Sequence, residues 1–204
     1  MQQKTSTAFR IAIFCLPPLL AATQAQAINC RLASTSVELA ICGSKELLVL
    51  DEHLNSLYRA VKQQAKDGAQ VEIDQKDWVK RQRNACTDTS CLQTTYQTRL
   101  NDLERALTPW CETHKRQIAG TWSRIGDAGY FEEFSAGPDY EFDSWLHHRP
   151  EISGGTWALN GCHFTARGQG SLTVDLILLS VKDDELRFME EKVPGTSHYK
   201  RTGN

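Results

Sequence analysis

The chain has 204 residues, of which 40% are hydrophobic and 24% are charged. This composition is typical of a globular protein and excludes a fibrous or wholly disordered polymer. Lys and Arg together number 23 against 25 Asp and Glu, which gives a net charge of −2. Nucleic-acid-binding proteins normally carry a clustered basic excess, so we expect no nucleic-acid partner.

The N-terminal segment is typical of a secretory signal peptide. Lys4 and Arg10 supply a basic start, an apolar run covers 11–22, and Ala25-Gln26-Ala27 forms an A-x-A cleavage site. A membrane anchor is the alternative, but the run is too short to cross a bilayer core of about 30 Å as a helix. We therefore expect the mature chain to begin at Ile28, to have no membrane insertion, and to be periplasmic or secreted.

Cysteine usage agrees with export. Removing residues 1–27 leaves 177 residues with six cysteines, namely Cys30, Cys42, Cys86, Cys91, Cys111 and Cys162. An even number of cysteines in an exported chain indicates disulfides formed in an oxidising compartment such as a bacterial periplasm. Six cysteines allow fifteen pairings, among which sequence alone does not choose. Zinc is the competing interpretation, but no cysteine or histidine cluster has ligand spacing, so we expect no metal.

Helical patterns fill residues 28–107. Thr35-Ser36-Val37-Glu38 has the form of a capping box, and apolar residues then recur at intervals of three and four. Four helices are predicted: a short one to Cys42, one capped by Ser44 and ending near Asp67-Gly68, one over 71–84, and one from Cys91 to Leu107. Proline disrupts a helix interior, so Pro109 is expected to end the fourth.

Residues 108–204 change to glycine, aromatic residues and short alternating runs. Strand candidates are Ile118–Trp122, Gly155–Leu159, Cys162–Thr165, Leu172–Val181 and Leu186–Glu190, with a turn at Asp183-Asp184. We predict a compact antiparallel sheet that curls toward a barrel. The predicted fold class is α+β, in which a helical bundle over 28–107 follows the signal peptide of 1–27 and precedes a β-rich domain over 108–204.

The helical segment contains an ordered set of residues that resembles one family. The set is Cys30, Glu38, Ile41-Cys42, Leu50-Asp51, Leu54, Tyr58, Gln75, Trp78, Arg83-Asn84, Cys86, Cys91-Leu92, Tyr96, Arg99 and Leu100. It resembles the N-terminal domain of the LprI-type lysozyme-inhibitor family of exported bacterial proteins, over roughly 30–107. The resemblance implies disulfides Cys30–Cys42 and Cys86–Cys91 and, with those two placed, Cys111–Cys162. It also implies a non-enzymatic protein whose partner is lysozyme or another peptidoglycan hydrolase.

The second half has a shorter likeness. Gly120-Thr121-Trp122 and Lys200-Arg201 resemble the Gly-x-Trp motif and closing basic residue of lipocalin-like barrels, in which a cation packs over the indole. The strand candidates are too few for a full lipocalin, so only a barrel-like architecture is implied.

Two segments are candidates for partner binding. If Cys86 and Cys91 are bridged, the four residues between them form a stiff protrusion that loses little entropy on entering a cleft. These residues are Thr87, Asp88, Thr89 and Ser90. The alternative is a structural connection between helices in which Ser90 serves as a cap.

The second candidate is an acidic, aromatic stretch between Arg124 and Arg149. Its acids are Asp127, Glu132, Glu133, Asp139, Glu141 and Asp143, and its aromatic residues are Tyr130, Phe131, Phe134, Tyr140, Phe142 and Trp145. An acidic patch favours encounter with a basic partner, and Tyr and Trp supply contact area. The alternative is a solvated loop whose aromatic side chains belong to the barrel core.

The leading hypothesis is a periplasmic, lysozyme-inhibitor-like protein that blocks a muramidase cleft. The alternatives are an immunity-like protein against a bacterial cell-wall hydrolase and a ligand-binding or structural envelope module. Catalysis is unsupported because the chain has no nucleophile elbow, no Walker A motif and no dinucleotide fingerprint, so we expect no cofactor. His147-His148 is interpreted as a solvated turn in preference to a metal or proton-shuttle site.

Overall fold

The computed structural model describes residues 27–126, 130–168, 170, 172–190 and 193–203. The expected signal segment up to residue 26 and Asp127 lie outside these residues. The helices are α1 (Ser36–Cys42), α2 (Lys45–Gln64), α3 (Gly68–Arg81) and α4 (Thr89–His114). The strands are β1 (Gly120–Ile125), β2 (Glu133–Ala136), β3 (Glu141–Leu146), β4 (Arg149–Asn160), β5 (His163–Arg167), β6 (Thr173–Lys182), β7 (Glu185–Met189) and β8 (Thr196–Gly203).

The first two helices begin at the predicted caps. The Thr35 hydroxyl accepts from the Glu38 amide at 3.2 Å, and the Glu38 carboxylate accepts from the Thr35 amide at 3.0 Å. Both halves of the capping box are therefore present. The Ser44 hydroxyl accepts from the Leu47 amide at 3.3 Å, which satisfies an otherwise free donor at the start of α2.

The helices pack around one apolar core. Its fully or nearly fully buried members include Leu47, Leu54, Leu57, Trp78, Leu92, Tyr96, Leu100 and Leu103. The Trp78 ring of α3 meets the Tyr96 ring of α4 edge-on, with 5.5 Å between centroids. The 3.6-residue apolar period of α2 and α4 thus marks the face that each helix buries.

The fourth helix does not end where the sequence predicts. It passes through Pro109 and continues to His114. Proline costs about 3 kcal/mol in a helix interior because it lacks an amide hydrogen. Packing overrides this cost, since Cys111 in the next turn is fully buried against the barrel and the Trp110 and His114 rings stack at 4.3 Å. The expectation that Pro109 stops the helix was wrong.

The β-rich part is a closed barrel. Each strand pairs antiparallel with the next along the chain, and β8 pairs with β1. All five strand candidates fall wholly or largely within strands, but β2, β3 and β8 were not predicted. The inference that the strands are too few for a full lipocalin-type barrel was therefore wrong. The α+β class and the barrel-like sheet are confirmed.

Aromatic side chains fill the barrel interior. Seven rings are at most 1% exposed, namely Trp122, Phe131, Phe134, Phe142, Phe164, Phe188 and Tyr199. Phe134 lies among the other six, with ring centroids 5.1 to 6.5 Å away. An eight-stranded barrel is just wide enough for such filling. This packing leaves the barrel centre to protein side chains, so a ligand would have to use the rim or an external groove.

The barrel closes as the Gly-x-Trp resemblance implies. The Arg201 guanidinium lies 4.2 Å from the centre of the Trp122 ring and donates to the carbonyl oxygens of Ala119 and Gln117 at 2.6 and 2.7 Å. A cation over an indole face gains from the ring quadrupole. Arg201 therefore connects the last strand to the start of the first.

Three disulfides link Cys30 to Cys42, Cys86 to Cys91 and Cys111 to Cys162. These are the pairs that the family resemblance implies. The third joins α4 to the residue just before β5, where the helices pack against β6. At the same junction the His163 ring lies 2.6 Å from a Glu104 oxygen and 3.3 Å from an Asp175 oxygen. Covalent and polar links thus hold the helices on the barrel.

Candidate functional site

The loop between Cys86 and Cys91 is an exposed, doubly fixed protrusion. Thr87, Asp88, Thr89 and Ser90 are all exposed. The disulfide closes the loop, and the Asp88 carboxylate accepts from the Cys91 amide at 2.8 Å. Asp88 is thereby the N-cap of α4, and its charge suits the positive end of the helix dipole. The alternative interpretation placed the cap at Ser90, and this detail was wrong.

The loop borders the first helix. Its residues and Ser36, Val37 and Ala40 of α1 line a shallow cavity of about 150 Å³. Helix α1 is itself held by the Cys30–Cys42 disulfide, so two covalent links lie at this end of the helical bundle. The surface is consequently stiff as well as exposed.

Helix length separates the loop from the disulfide that joins α4 to the barrel. The loop lies at the start of α4, whereas Cys111 near the other end of α4 is bonded to the barrel. At 1.5 Å per residue these two points are about 33 Å apart along the helix axis. The loop therefore lies at the end of α4 opposite to the turn that is bonded to the barrel.

A buried polar network supports the helices behind the loop. The Tyr96 hydroxyl donates to Asp51 Oδ1 at 2.7 Å, and Arg99 Nε donates to the buried Gln75 side chain at 3.1 Å. Burial, followed by the Asp51 charge, raises the pKa of Tyr96. Asp51, Gln75, Tyr96 and Arg99 all belong to the family-like residue set, and the structure assigns them an internal role.

The acidic stretch forms part of the barrel wall. Phe131, Phe134 and Phe142 point into the core. Glu133 and Glu141 are exposed on β2 and β3, Asp143 is half-buried on β3, and Asp139 is exposed between these strands. The Phe side chains therefore belong to the barrel core while the acids face outward, and partner contact through these acids stays a prediction.

Two of these acids have structural partners. Asp143 Oδ1 accepts from the Gly154 amide at 2.9 Å. Glu132 accepts from the His148 amide at 3.2 Å and lies 3.6 Å from the His147 ring and 4.0 Å from Arg124. Glu132 therefore supports the β3–β4 turn, which leaves Glu133, Asp139 and Glu141 as the acids freest to meet a partner.

His147 and His148 form the two-residue turn between β3 and β4. Their φ angles are 50° and 58°, and both side chains are exposed. Positive φ at both positions is typical of a type I′ hairpin, whose twist matches the flanking strands. The interpretation as a solvated turn agrees with this geometry.

Sequence reasoning missed a cavity at the barrel rim. It has a volume of about 450 Å³ and is lined by Tyr130, Leu146, Glu151, Glu190 and residues 193–197. Burial raises the pKa of Glu151 and of Tyr130. These residues come from four separate segments, so no local motif signals the cavity.

A second missed feature is a groove of about 230 Å³ between α2 and the barrel. Arg59 lines it from α2, and Arg187 and His198 line it from the barrel. Burial lowers the pKa of His198, the nearby Arg187 charge lowers it further, and Glu185 acts in the opposite direction.

This shift predicts an acid-sensitive step in stability. Folded His198 binds a proton less readily than unfolded His198, so the free energy of unfolding falls as pH drops through about 6.5 toward the folded pKa. Below the folded pKa this contribution changes no further. His198→Gln is expected to flatten the dependence of Tm on pH between about 7.5 and 5. An unchanged pH profile in this variant would show that other groups cause the dependence.

Other site types have no support among the described residues. No group of three or more His, Cys, Asp or Glu residues there is arranged to hold a metal ion. In the same residues, no helix combines the length and apolar character needed to cross a membrane.

Comparison with known proteins gives one match, which covers the helical part. Residues 29–123 match the family model described as lysozyme inhibitor LprI. The match begins one residue before Cys30 and ends within β1. It therefore contains all four helices, the disulfide-closed loop between Cys86 and Cys91 (the tied loop), and the buried Asp51–Tyr96 pair. Comparison with curated proteins and with solved structures gives no match. Over residues 29–123 the chain is therefore similar to the lysozyme inhibitor LprI family, and it continues beyond that segment into a closed β-barrel.

Proposed function

We propose that this is an exported protein that blocks a peptidoglycan-cleaving muramidase by inserting the Cys86–Cys91 loop into the enzyme's cleft. The observation that carries the proposal is the position of this loop. It is exposed, lies inside the segment that matches the lysozyme-inhibitor family, and is at the end of α4 opposite to the disulfide that joins α4 to the barrel.

The mechanism requires no chemistry by this chain. A loop held by a disulfide and by the Asp88 cap is already ordered, so less conformational entropy is lost when it enters a cleft. Thr87, Thr89 and Ser90 supply hydroxyl groups for hydrogen bonds, and Asp88 supplies a negative charge. The bound loop excludes the peptidoglycan strand from the same space.

The barrel contributes a second, longer-range effect in this proposal. Glu133, Asp139 and Glu141 give one side of the barrel wall an exposed negative charge. Charge complementarity mainly accelerates encounter with a basic partner and helps little once the complex has formed. The acidic side therefore favours a basic muramidase as target. The expected location is the periplasm or the extracellular medium, where such an enzyme meets the protein.

The first test is the rate of peptidoglycan lysis by animal-type and bacterial muramidases at increasing molar ratios of the oxidised chain that begins at Ile28. Inhibition that saturates near one to one supports cleft occupation. Inhibition of one bacterial enzyme and not of animal-type lysozyme favours the immunity-like alternative. If no muramidase is inhibited, the proposal is wrong.

The role of the loop is tested with a charge-neutral cap. Asp88→Asn removes the charge but retains an N-cap oxygen, so helix stability should change little. We expect the inhibition constant to rise at least about tenfold, which corresponds to about 1.4 kcal/mol of lost contact energy. Asp88→Ala is a poorer test because it removes the charge and the N-cap of α4 together, so a lost contact and a destabilised helix could not be told apart.

A matched control is available in the same domain. Asp67 is the N-cap of α3 and accepts from the Gln70 amide at 3.0 Å, at an exposed position away from the loop. Asp67→Asn makes the same chemical change and should leave inhibition unaltered. Equal inhibition by the Asp88→Asn variant and the unmodified chain would remove Asp88 from the proposed interface.

A further inference from the structure

Asp51 is a buried carboxylate on α2. Its residue is only 3% exposed. Oδ1 accepts from the Tyr96 hydroxyl at 2.7 Å, and Oδ2 accepts from the backbone nitrogen of Ile28 at 2.7 Å and from Asn55 at 3.4 Å. Three donors, from the N-terminal segment, α2 and α4, thus meet at one side chain.

This arrangement lacks a cation in direct contact with the carboxylate. Among the residues that the structure describes, no Lys or Arg forms an ion pair with Asp51. The Arg83 cation acts on the Tyr96 hydroxyl, where it lowers the pKa, and forms no ion pair with Asp51. A buried carboxylate is costly unless it is paired, because the protein interior solvates charge poorly. A positive charge on one of the three donors would therefore stabilise the Asp51 carboxylate.

The Ile28 nitrogen is the donor that gains a positive charge when the signal peptide is cut off before Ile28. Ile28 directly follows the A-x-A site, and the preceding Ala27 is exposed. In an unprocessed chain this nitrogen is a neutral amide. If the chain is cut before Ile28, the same atom becomes an α-ammonium group, already 2.7 Å from Asp51 Oδ2.

We propose that cleavage between Ala27 and Ile28 creates an α-ammonium group that forms a partly buried ion pair with Asp51 and attaches the mature N-terminus to α2. The covalent step is a hydrolysis in which water adds hydroxyl to the Ala27 carbonyl carbon while the C–N bond breaks. The products are the Ala27 carboxylate and the Ile28 amine, which takes up a proton from solvent. A signal peptidase of the exporting cell supplies the catalyst.

The ion pair would connect signal-peptide cleavage with the packing of α4, the helix that begins at the tied loop. Tyr96, which donates to the same carboxylate, belongs to α4, and α4 begins at the loop. Two residues after Ile28, the Cys30–Cys42 disulfide fixes the same N-terminal segment to the end of α1. The new terminus thus completes a connection between the N-terminal segment, α2 and α4.

The position of the cut matters in this proposal. One additional residue moves the ammonium group by about 3.5 Å along the chain and returns an uncharged amide to Asp51. A chain that begins at Ala27 is therefore the closest available control. It keeps every side chain of the folded domain and displaces only the charge.

The experiment compares four oxidised proteins. Two begin at Ile28 and two at Ala27, all end at residue 204, and one of each pair carries Asp51→Asn. With Asp51 present, we expect the additional residue to lower Tm by at least about 5 °C, as for loss of one partner of a buried pair. In the Asp51→Asn background, the difference should fall below about 1 °C. Asp67→Asn, at an exposed cap, should leave the full difference in place.

A second measurement does not depend on folding of the Asp51 variant. An ion-paired ammonium gives up its proton less readily, so its reaction with an amine-selective acylating reagent at pH 7 should be slower. We expect labelling of Ile28 to be at least about tenfold slower than labelling of the terminus in the Ala27 chain.

Three results would overturn the proposal. The first is equal Tm and equal labelling of the Ile28 and Ala27 chains. The second is a difference in Tm that persists unchanged in the Asp51→Asn background. The third is mass spectrometry of the exported protein that finds a first residue other than Ile28. None of these readouts depends on whether a muramidase is inhibited.

Discussion

Loss of the Cys111–Cys162 disulfide is expected to lower the free energy of unfolding by about 4 kcal/mol. This bond closes a chain segment with a sequence separation of 51, the longest of the three. In the chain-entropy description, a longer closed loop restricts the unfolded chain more strongly. Both cysteines are fully buried, so the variant should carry Cys111→Ala and Cys162→Ala, which leave no buried thiol or hydroxyl without a partner.

The other two disulfides serve as matched controls. Their sequence separations of 12 for Cys30–Cys42 and 5 for Cys86–Cys91 predict losses of about 3 and about 2 kcal/mol. Urea unfolding of the three double-alanine variants measures the order directly. A larger loss for Cys86–Cys91 than for Cys111–Cys162 would contradict the entropic explanation and would indicate that the tied loop has a strong stabilising role in the native state.

Local signals explain why the helical half was largely predictable. The Thr35–Glu38 capping box and the Ser44 cap satisfy donors within three residues of themselves, so sequence alone identifies them. The apolar period of α2 is equally local. Pro109 was misinterpreted because the forces that carry α4 past it, the burial of Cys111 and its bond to Cys162, come from a residue 51 positions away.

The missing strands have a different cause. β2 is four residues long, and β8 contains Ser197 and Tyr199 inward among polar outward residues, so neither forms an apolar run. Their strand character depends on pairing with the neighbouring strands, which for β8 include β1 at the other end of the barrel sequence. Strand preference reflects such packing more than an intrinsic backbone tendency. The composition of the acidic stretch is visible in the sequence. Which of its side chains face the barrel core and which face solvent follows only from the pairing of β2 and β3.

Asp51 illustrates how a buried polar residue can be recognised from the sequence while its partners cannot. It lies in the apolar stripe of α2, and a polar residue there already indicates a buried partner. From spacing alone, Tyr58, seven residues along the same helix, could be that partner. The structure instead pairs Asp51 with Tyr96 on another helix and with the nitrogen of Ile28. Periodicity shows which face of a helix is buried but does not identify the element packed against it.

Phe134→Ala is expected to lower the free energy of unfolding by about 3 to 5 kcal/mol. The Phe134 side chain is 1% exposed and lies among six other aromatic rings, so truncation leaves a cavity that a closed barrel cannot easily collapse. Phe134→Leu retains more of the volume and should cost less. Tyr140→Ala removes an aromatic ring that is 47% exposed and serves as the surface control, with an expected loss below about 1 kcal/mol.

The same variants separate barrel stability from the proposed binding function. Phe134 lies inside the barrel, whereas the tied loop is at the far end of α4, about 33 Å from the helix turn that is bonded to the barrel. Under conditions where the Phe134→Ala chain remains folded, we therefore expect muramidase inhibition to be unchanged while urea unfolding shifts strongly. Parallel loss of inhibition in the folded Phe134→Ala chain, with normal inhibition by the Asp88→Asn chain, would instead assign binding to the barrel.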